Sequence, residues 1–461
     1  MKKSLNRREF LKRSAAGLLS LSPLGAMLAS PERLDAAQTA GDYRAIVCVL
    51  LEGGADVFNM IVPTGRESYD DYRAVRKGLA VERESLLGFT HADAAGRNPL
   101  AYGMRSNMGR MHELFEKKRL ALVANVGTLV RPTTAEEIRE GGAVLPNQLF
   151  AHNTQRDLWM LGDAKNPHKM GWAARTADLF FPEGSPWCNI TVGGNNLMQL
   201  GAVKEAVAFS EAAVSPDTMR YYGFGPEAGS GELGGVYQDI YEAMRGDGNR
   251  LMAAFAQKRV EELRRPDLLA GLFDGVREFD GFSTGVHETG VPLGKQLELV
   301  AKILSVRENF PGRPGRQIFF VNHHGWDTHD SDNAHQTGYL SDSLGAFYDA
   351  LEEMGLTERV TLFTLSDFGR SLSPNGAGTD HGWGSHAFVM GGAVKGGDIY
   401  GRMPELRPDS PDAWSDRMVP TTAMESYLAT IVGWFGATEE ELDAIFPNLR
   451  SFGTRNMGFM G

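Results

Sequence analysis

Cysteine is nearly absent: the 461 residues hold two, Cys48 and Cys188. Two thiols cannot build a disulfide framework, and no CxxC pair offers a zinc or redox site. Both read as buried thiols rather than nucleophiles. Basic charge is also short, with 47 Lys and Arg against 58 Asp and Glu and a formal net charge of −11. That balance argues against nucleic acid or an anionic membrane as the main partner. There is no internal repeat and no low-complexity tract. What is plentiful is core material, 42% hydrophobic and 9% aromatic residues, which excludes global disorder. The 55 glycines exceed the usual share of about 7% and point to tight turns and close backbone approaches.

The chain opens MKKSLNRREFLKRSAAGLLSLSPLGAMLAS. Arg7 and Arg8 stand beside Phe10, Leu11 and Lys12, and a weakly apolar stretch follows from Ala15 to Ala29, broken by Ser, Gly and Pro23. The stretch is too short and too polar for a stable membrane span. The pattern is that of a twin-arginine export signal, which implies the twin-arginine machinery as a partner and a periplasmic or secreted destination. Cleavage is expected between Ala29 and Ala40. Loss of residues 1–40 leaves 40 basic against 55 acidic residues, a net charge of −15.

Beyond the leader, residues 41–461 read as one α/β domain. Apolar runs rich in β-branched residues lie at Tyr43–Leu51, Arg119–Val126, Arg316–Val321 and Arg359–Leu365, with shorter ones at Asn189–Val192 and Ala387–Met390. Such runs fit strands covered on both faces, as in a parallel sheet. Apolar stripes of helical period occur at Asn107–Lys117, Gln148–Leu161, Leu293–Asn309, Tyr339–Met354 and Thr421–Phe435. Gly355 stands where the fourth of these needs a C-cap. The alternation predicts a doubly wound, mostly parallel sheet. Residues 198–290 carry no clear strand and predict a mainly helical insertion or cap.

In such sheets ligands bind beyond the carboxyl ends of the strands. The first run leads into EGGADVFN with Asp56 and Asn59. The third leads into NHHGWDTHD with His323, His324, Asp327, His329 and Asp330. The fourth leads into SDFGRSLSPNGAGTDHGWGSH with Asp367, Arg370, Asp380, His381 and His386. Six of the eleven histidines fall in or just after the last two segments. Interleaved carboxylate and imidazole is a ligand set for a divalent ion, with Zn, Mn, Ca or Mg all open. Arg370, beside Asp367, reads either as a partner for a substrate anion or as a surface ion pair. Trp326 and Trp383 read as packing.

A family resemblance rests on these residues. TLSDFGRS followed by GTDHGWGSHAFVMGGAVKGGDIYG is similar to the signature of the bacterial family known as domain of unknown function 1501. So are GWDTH with the following Gln336, the opening VLLEGGADVFNMIVP and the ending LDAIFPNL. The resemblance spans nearly the whole chain. It implies a sulfatase-like core of the alkaline-phosphatase superfamily, whose members hydrolyse phosphate, sulfate or phosphonate esters with metals at the sheet's carboxyl edge.

By that resemblance Asp56 looks like the first-strand metal Asp, and Asp327 with His329 like the central Asp/His pair. Asp367 matches a ligand Asp, with Phe368 where a ligand His is usual. Asp380 and His381 stand to supply the missing imidazole, with His386 as the alternative. The superfamily places its nucleophile at a helix N-terminus. Here that helix is expected to begin near Pro146, and Ala151 precedes His152 where relatives carry Ser. Alanine cannot attack. His152 and, one turn on, Thr154 are the remaining catalytic candidates, and the sulfatase modification motif C-x-P-S-R is absent. Two readings follow: a hydrolase of a small anionic ester, or a degenerate member that binds a metal or an anionic ligand, or assists another exported protein, without turnover.

Overall fold

The computed structural model describes residues 43–91, 98–167, 169–181, 186–201, 206–209, 232–246, 248–253, 255–257, 271–282, 291–407 and 409–461. The leader expected at 1–40 lies outside the described residues, as does much of 198–290. Of that segment, one described helix is Glu232–Arg245, which includes the expected piece at 236–244.

Among the described residues, nine strands form the main sheet. They are β1 (Arg44–Leu51), β2 (Leu120–Gly127), β3 (Asn189–Thr191), β4 (Val207–Ala208), β5 (Arg316–His323), β6 (Val360–Ser366), β7 (Ser385–Met390), β8 (Ile399–Tyr400) and β9 (Thr422–Ala423). Their spatial order is β8-β2-β7-β6-β1-β5-β3-β4, with β9 also on β2. β1 is parallel to both β5 and β6, and the register sets Leu51 beside His323 on one side and Ser366 on the other. Three strand ends therefore stop level with one another. β7 departs from the expected parallel pattern, because it runs antiparallel to both β2 and β6. A fully buried strand carries the same apolar run in either direction, so sequence periodicity could not tell.

Alternation along β1 explains the two layers. Ala45, Val47, Val49 and Leu51 face one core, and Ile46, Cys48 and Leu50 face the other. The first core is closed by helices α2 (Gly109–Glu116), α5 (Leu293–Ser305) and α6 (Ala334–Met354), after α1 (Arg66–Arg76) in the chain. The second is closed by α3 (His152–Leu161), α4 (Trp172–Phe180) and α7 (Met424–Phe435). Helices on both faces of a mostly parallel sheet make the doubly wound α/β fold that the sequence predicts. Trp326 and Trp383 are buried, as are both free thiols.

Helix boundaries moved for local reasons. α3 begins at His152 rather than near Pro146, because Gln148 and Phe150 have positive φ (44° and 75°) and cannot continue a helix. α7 begins at Met424, because Thr422 and Ala423 pair with β2 as β9. α6 starts earlier than expected, at Ala334, and ends at Gly355 with φ 66°, as expected of a C-cap.

Candidate metal centre

The level ends of β1, β5 and β6 deliver three loops to one place. Gly53 and Gly54, just past β1, make their closeness possible. A Cβ on Gly53 would lie 2.4 Å from the backbone nitrogen of Asp327, and one on Gly54 would lie 2.6 Å from the Phe368 ring. Their φ values, 120° and 86°, are ones that side chains rarely adopt. Gly53→Ala should therefore cost at least about 1–3 kcal/mol from the backbone alone and displace Asp327. Urea unfolding measures the first effect, and a crystal structure of the variant the second.

A short hairpin supplies the rest. Arg370–Pro374 pairs antiparallel with Thr379–His381, which places Arg370 opposite His381. Arg370 is fully buried, so the surface-pair reading fails. Its Nε donates to Thr379 Oγ1 (3.1 Å) and its Nη1 to Asp327 Oδ1 (2.8 Å) and Gly53 O (3.3 Å). Nη2 donates to Thr379 O. With every nitrogen bonded and the side chain fully buried, Arg370 is committed to pinning Asp327.

The imidazoles of His152 and His381 meet Asp327 here. The two Nε2 atoms lie 3.0 Å apart, and Asp327 carboxylate oxygens lie 3.4 Å from each. The three groups have ligand atoms within 4.8 Å of one another. Ligands of a tetrahedral zinc ion, with bonds of about 2.0–2.1 Å, stand about 3.3 Å apart. His329 Nε2 is the fourth group in reach, 2.9 Å from Asp327 Oδ1 and 3.1 Å from His381 Nε2.

Hydrogen bonds behind the imidazoles bear on what faces inward. His381 Nδ1 is 2.8 Å from Phe150 O. A carbonyl only accepts, so Nδ1 carries the proton and the neutral ring turns a lone pair inward at Nε2. Burial, the largest cause, and the charges of His152 and Arg370 hold this imidazole below its ordinary range, in favour of the neutral form. His152 Nδ1 is 2.9 Å from Asp367 Oδ2, an acceptor that also receives the Gly53 N–H (3.2 Å). Asp367 is 1% exposed and thus stands behind His152 as an orienting carboxylate. With both rings neutral, the two Nε2 lone pairs would lie 3.0 Å apart and repel unless a proton or a metal ion stood between them. Burial alone would raise the carboxyl of Asp327, but the Arg370 hydrogen bond and the neighbouring charges outweigh it and hold it ionised below the usual range. Phe368, where a ligand imidazole was expected, packs its ring 4.6 Å from that of His152 and 4.8 Å from that of His381.

The structure thus gathers Asp327, His329, Asp367 and His381, and adds His152 as a direct participant. It does not gather the other four. Asp56 is buried in an ion pair with Arg76. Asp380 pairs with Arg417 (2.8 Å) and accepts the His381 N–H through its other oxygen (2.8 Å). His386 accepts the Asn125 N–H at Nδ1 (3.0 Å) and packs edge-on against Phe58; burial pushes its imidazole down to about 3. Thr154 donates its hydroxyl to Gln148 (2.6 Å). His152 was read from the sequence as catalytic, and its ligand geometry depends on where α3 begins, which the sequence misplaced.

Several solved structures resemble this chain. "Ps i-CgsB in complex with k-i-k-neocarrahexaose" is 12% identical over 90% of this chain and 75% of that one, with a TM-score of 0.32. The "PsFucS1 sulfatase from Pseudoalteromonas sp." is 10% identical over 97% and 74%, with a TM-score of 0.33. The "C-terminal periplasmic domain of EcEptC from Escherichia coli", a complex with Zn, is 10% identical over 77% and 74%, with a TM-score of 0.26. No curated protein matches the sequence significantly. Residues 312–420, which include Asp327, His329, Asp367, Arg370 and His381, match the family described as "Protein of unknown function (DUF1501)".

Proposed function

We propose that this chain is an exported, metal-dependent hydrolase of a phosphate or sulfate ester. The observation that carries the reading is the pair of imidazole Nε2 atoms beside Asp327, 3.0 Å apart. His152, Asp327 and His381 would hold one divalent ion of the zinc class, with His329 at its side. When bound, such an ion supplies Lewis acidity toward an ester oxygen.

The protein groups do the rest. Asp367 and the Phe150 carbonyl hold two imidazoles in one tautomer. Arg370 holds Asp327, and Phe368 walls the rings. The His329 side chain is 36% exposed, and its Nε2, beside Asp327 and His381, is placed to take or give a proton next to the ion. Ala151 is the N-cap of α3 and offers no side-chain bond, so a covalent serine-type intermediate is not available at that position. Water is then the nucleophile. The leader at 1–40 is proposed to carry the chain through the twin-arginine machinery to the periplasm or beyond. Among the described residues no helix is long and apolar enough to cross a membrane.

Ala151 favours a second reading, a metal-binding member without turnover. Metal analysis of the purified mature protein, followed by assays on nitrophenyl phosphate and nitrophenyl sulfate, separates the two. We expect about one equivalent of divalent metal, and hydrolysis abolished by a chelator and restored by zinc or manganese. Metal content without turnover of either ester selects the second reading. Absence of metal, with no uptake of zinc or manganese, rejects both.

A further inference from the structure

Of the described arginines around this centre, Arg370 and Arg417 have all three nitrogens engaged within the protein. Every nitrogen of Arg370 is bonded within the protein, as described above. Arg417 likewise has each nitrogen engaged: Nε donates to His381 O (2.6 Å), Nη1 to Ser415 O (2.8 Å) and Nη2 to Asp380 Oδ2 (2.8 Å). Arg156 differs. Its Nη1 donates to Glu52 Oε1, while Nε and Nη2 have no partner among the described residues. Its side chain is 27% exposed.

Position agrees with chemistry. Arg156 follows His152 by four residues on α3, so the two share one helix face one turn apart. Its anchor, Glu52, directly precedes Gly53, whose N–H bonds the Asp367 that orients His152. Glu52 has two further partners, Asn322 Nδ2 (2.6 Å) and His324 Nδ1 (2.7 Å). Both bond Oε2, so that oxygen keeps its partners when Arg156 turns away from Oε1. A planar guanidinium with a free N–H edge matches two oxygens of a phosphate or sulfate group, which a lysine ammonium does not.

We infer that Arg156, held at the rim by Glu52, is the residue that binds the tetrahedral anionic group of the substrate. The assignment rests on the reading of the centre as one that takes an anionic ester. It also gives His324 and Asn322 a purpose that the metal centre does not, as the groups that keep Glu52 in place.

Calorimetry with inorganic phosphate tests it on the mature chain, both as the metal-free protein and after zinc loading. Arg156→Gln should weaken phosphate binding about tenfold or more in both states, with Arg156→Lys in between. Zinc content and the thermal midpoint should stay at the wild-type values, since the side chain is part-exposed and touches no proposed ligand. Equal phosphate affinity in Arg156→Gln and wild type would overturn the assignment, and so would a wild type that binds no phosphate in either state. The outcomes also separate this inference from the metal reading. A protein that takes up no zinc but binds phosphate through Arg156 rejects the metal centre alone. A zinc protein whose phosphate binding ignores Arg156 rejects this inference alone.

Discussion

His381→Ala should lower zinc affinity by more than about a hundredfold, since loss of a mere supporting group already costs about 10–100-fold. Asp367→Asn, which removes only the charge behind His152, should fall in that smaller range. The contrast follows from position: His381 turns Nε2 inward at 3.0 Å from His152, whereas Asp367 bonds the far nitrogen of His152 at 2.9 Å. Competition titration with a chromophoric chelator reads both values. Acid should release the metal in each case, because ligands bind deprotonated. The lowered imidazole of His381 shifts that side chain's own competition with protons below the ordinary histidine range. Unchanged metal content in His381→Ala and in Asp327→Asn would reject the site.

Asp56→Ala should destabilise the protein by about 3–5 kcal/mol and leave metal content untouched. Arg76 is fully buried, and its only carboxylate partner among the described residues is Asp56. Its other partners are neutral: Asn59 Oδ1 (3.0 Å) and the carbonyls of Ser371 and Leu372 (3.1 Å each). Removal of the carboxylate strands a buried cation between α1 and the hairpin. The double variant Asp56→Leu, Arg76→Met should regain most of the loss, because the stranded charge is then gone. Urea midpoints of the three proteins measure this. A loss under about 1 kcal/mol in the single variant would show that the guanidinium finds water instead, and a loss of zinc would return Asp56 to the centre.

The comparison of Asp56 with Asp327 shows what could and could not be read from the chain. Both follow an apolar strand by a few residues, and both were expected at the carboxyl edge. Strand runs were legible because β1, β5 and β6 are apolar on both faces. Each is held by a buried arginine, but Asp56 is paired with Arg76, on a helix twenty residues later, whereas Asp327 also has His152, His329 and His381 in reach. No local pattern announces such a partner. The hairpin that sets Arg370 opposite His381 was equally hidden, since its strands are short and mostly polar and show no clean alternation. Arg370 is the sharpest case: beside Asp367 in sequence, it bonds Asp327 across the loop. The clustering of Asp and His in two loops was visible, but the identity of the groups facing inward depended on the start of α3 and on the Phe150 carbonyl.

The burial of Arg370 has a consequence for the balance of charge within the centre. Two carboxylates, Asp327 and Asp367, and one guanidinium are fixed there, so the protein's own groups sum to a single negative charge. That is one short of what a dication needs for neutrality. A loaded centre would thus keep one uncompensated positive charge, inside a chain whose formal net charge is −11. An anion drawn toward that point must cross an acidic surface, and salt should speed its arrival by screening the approach more than the half-buried goal.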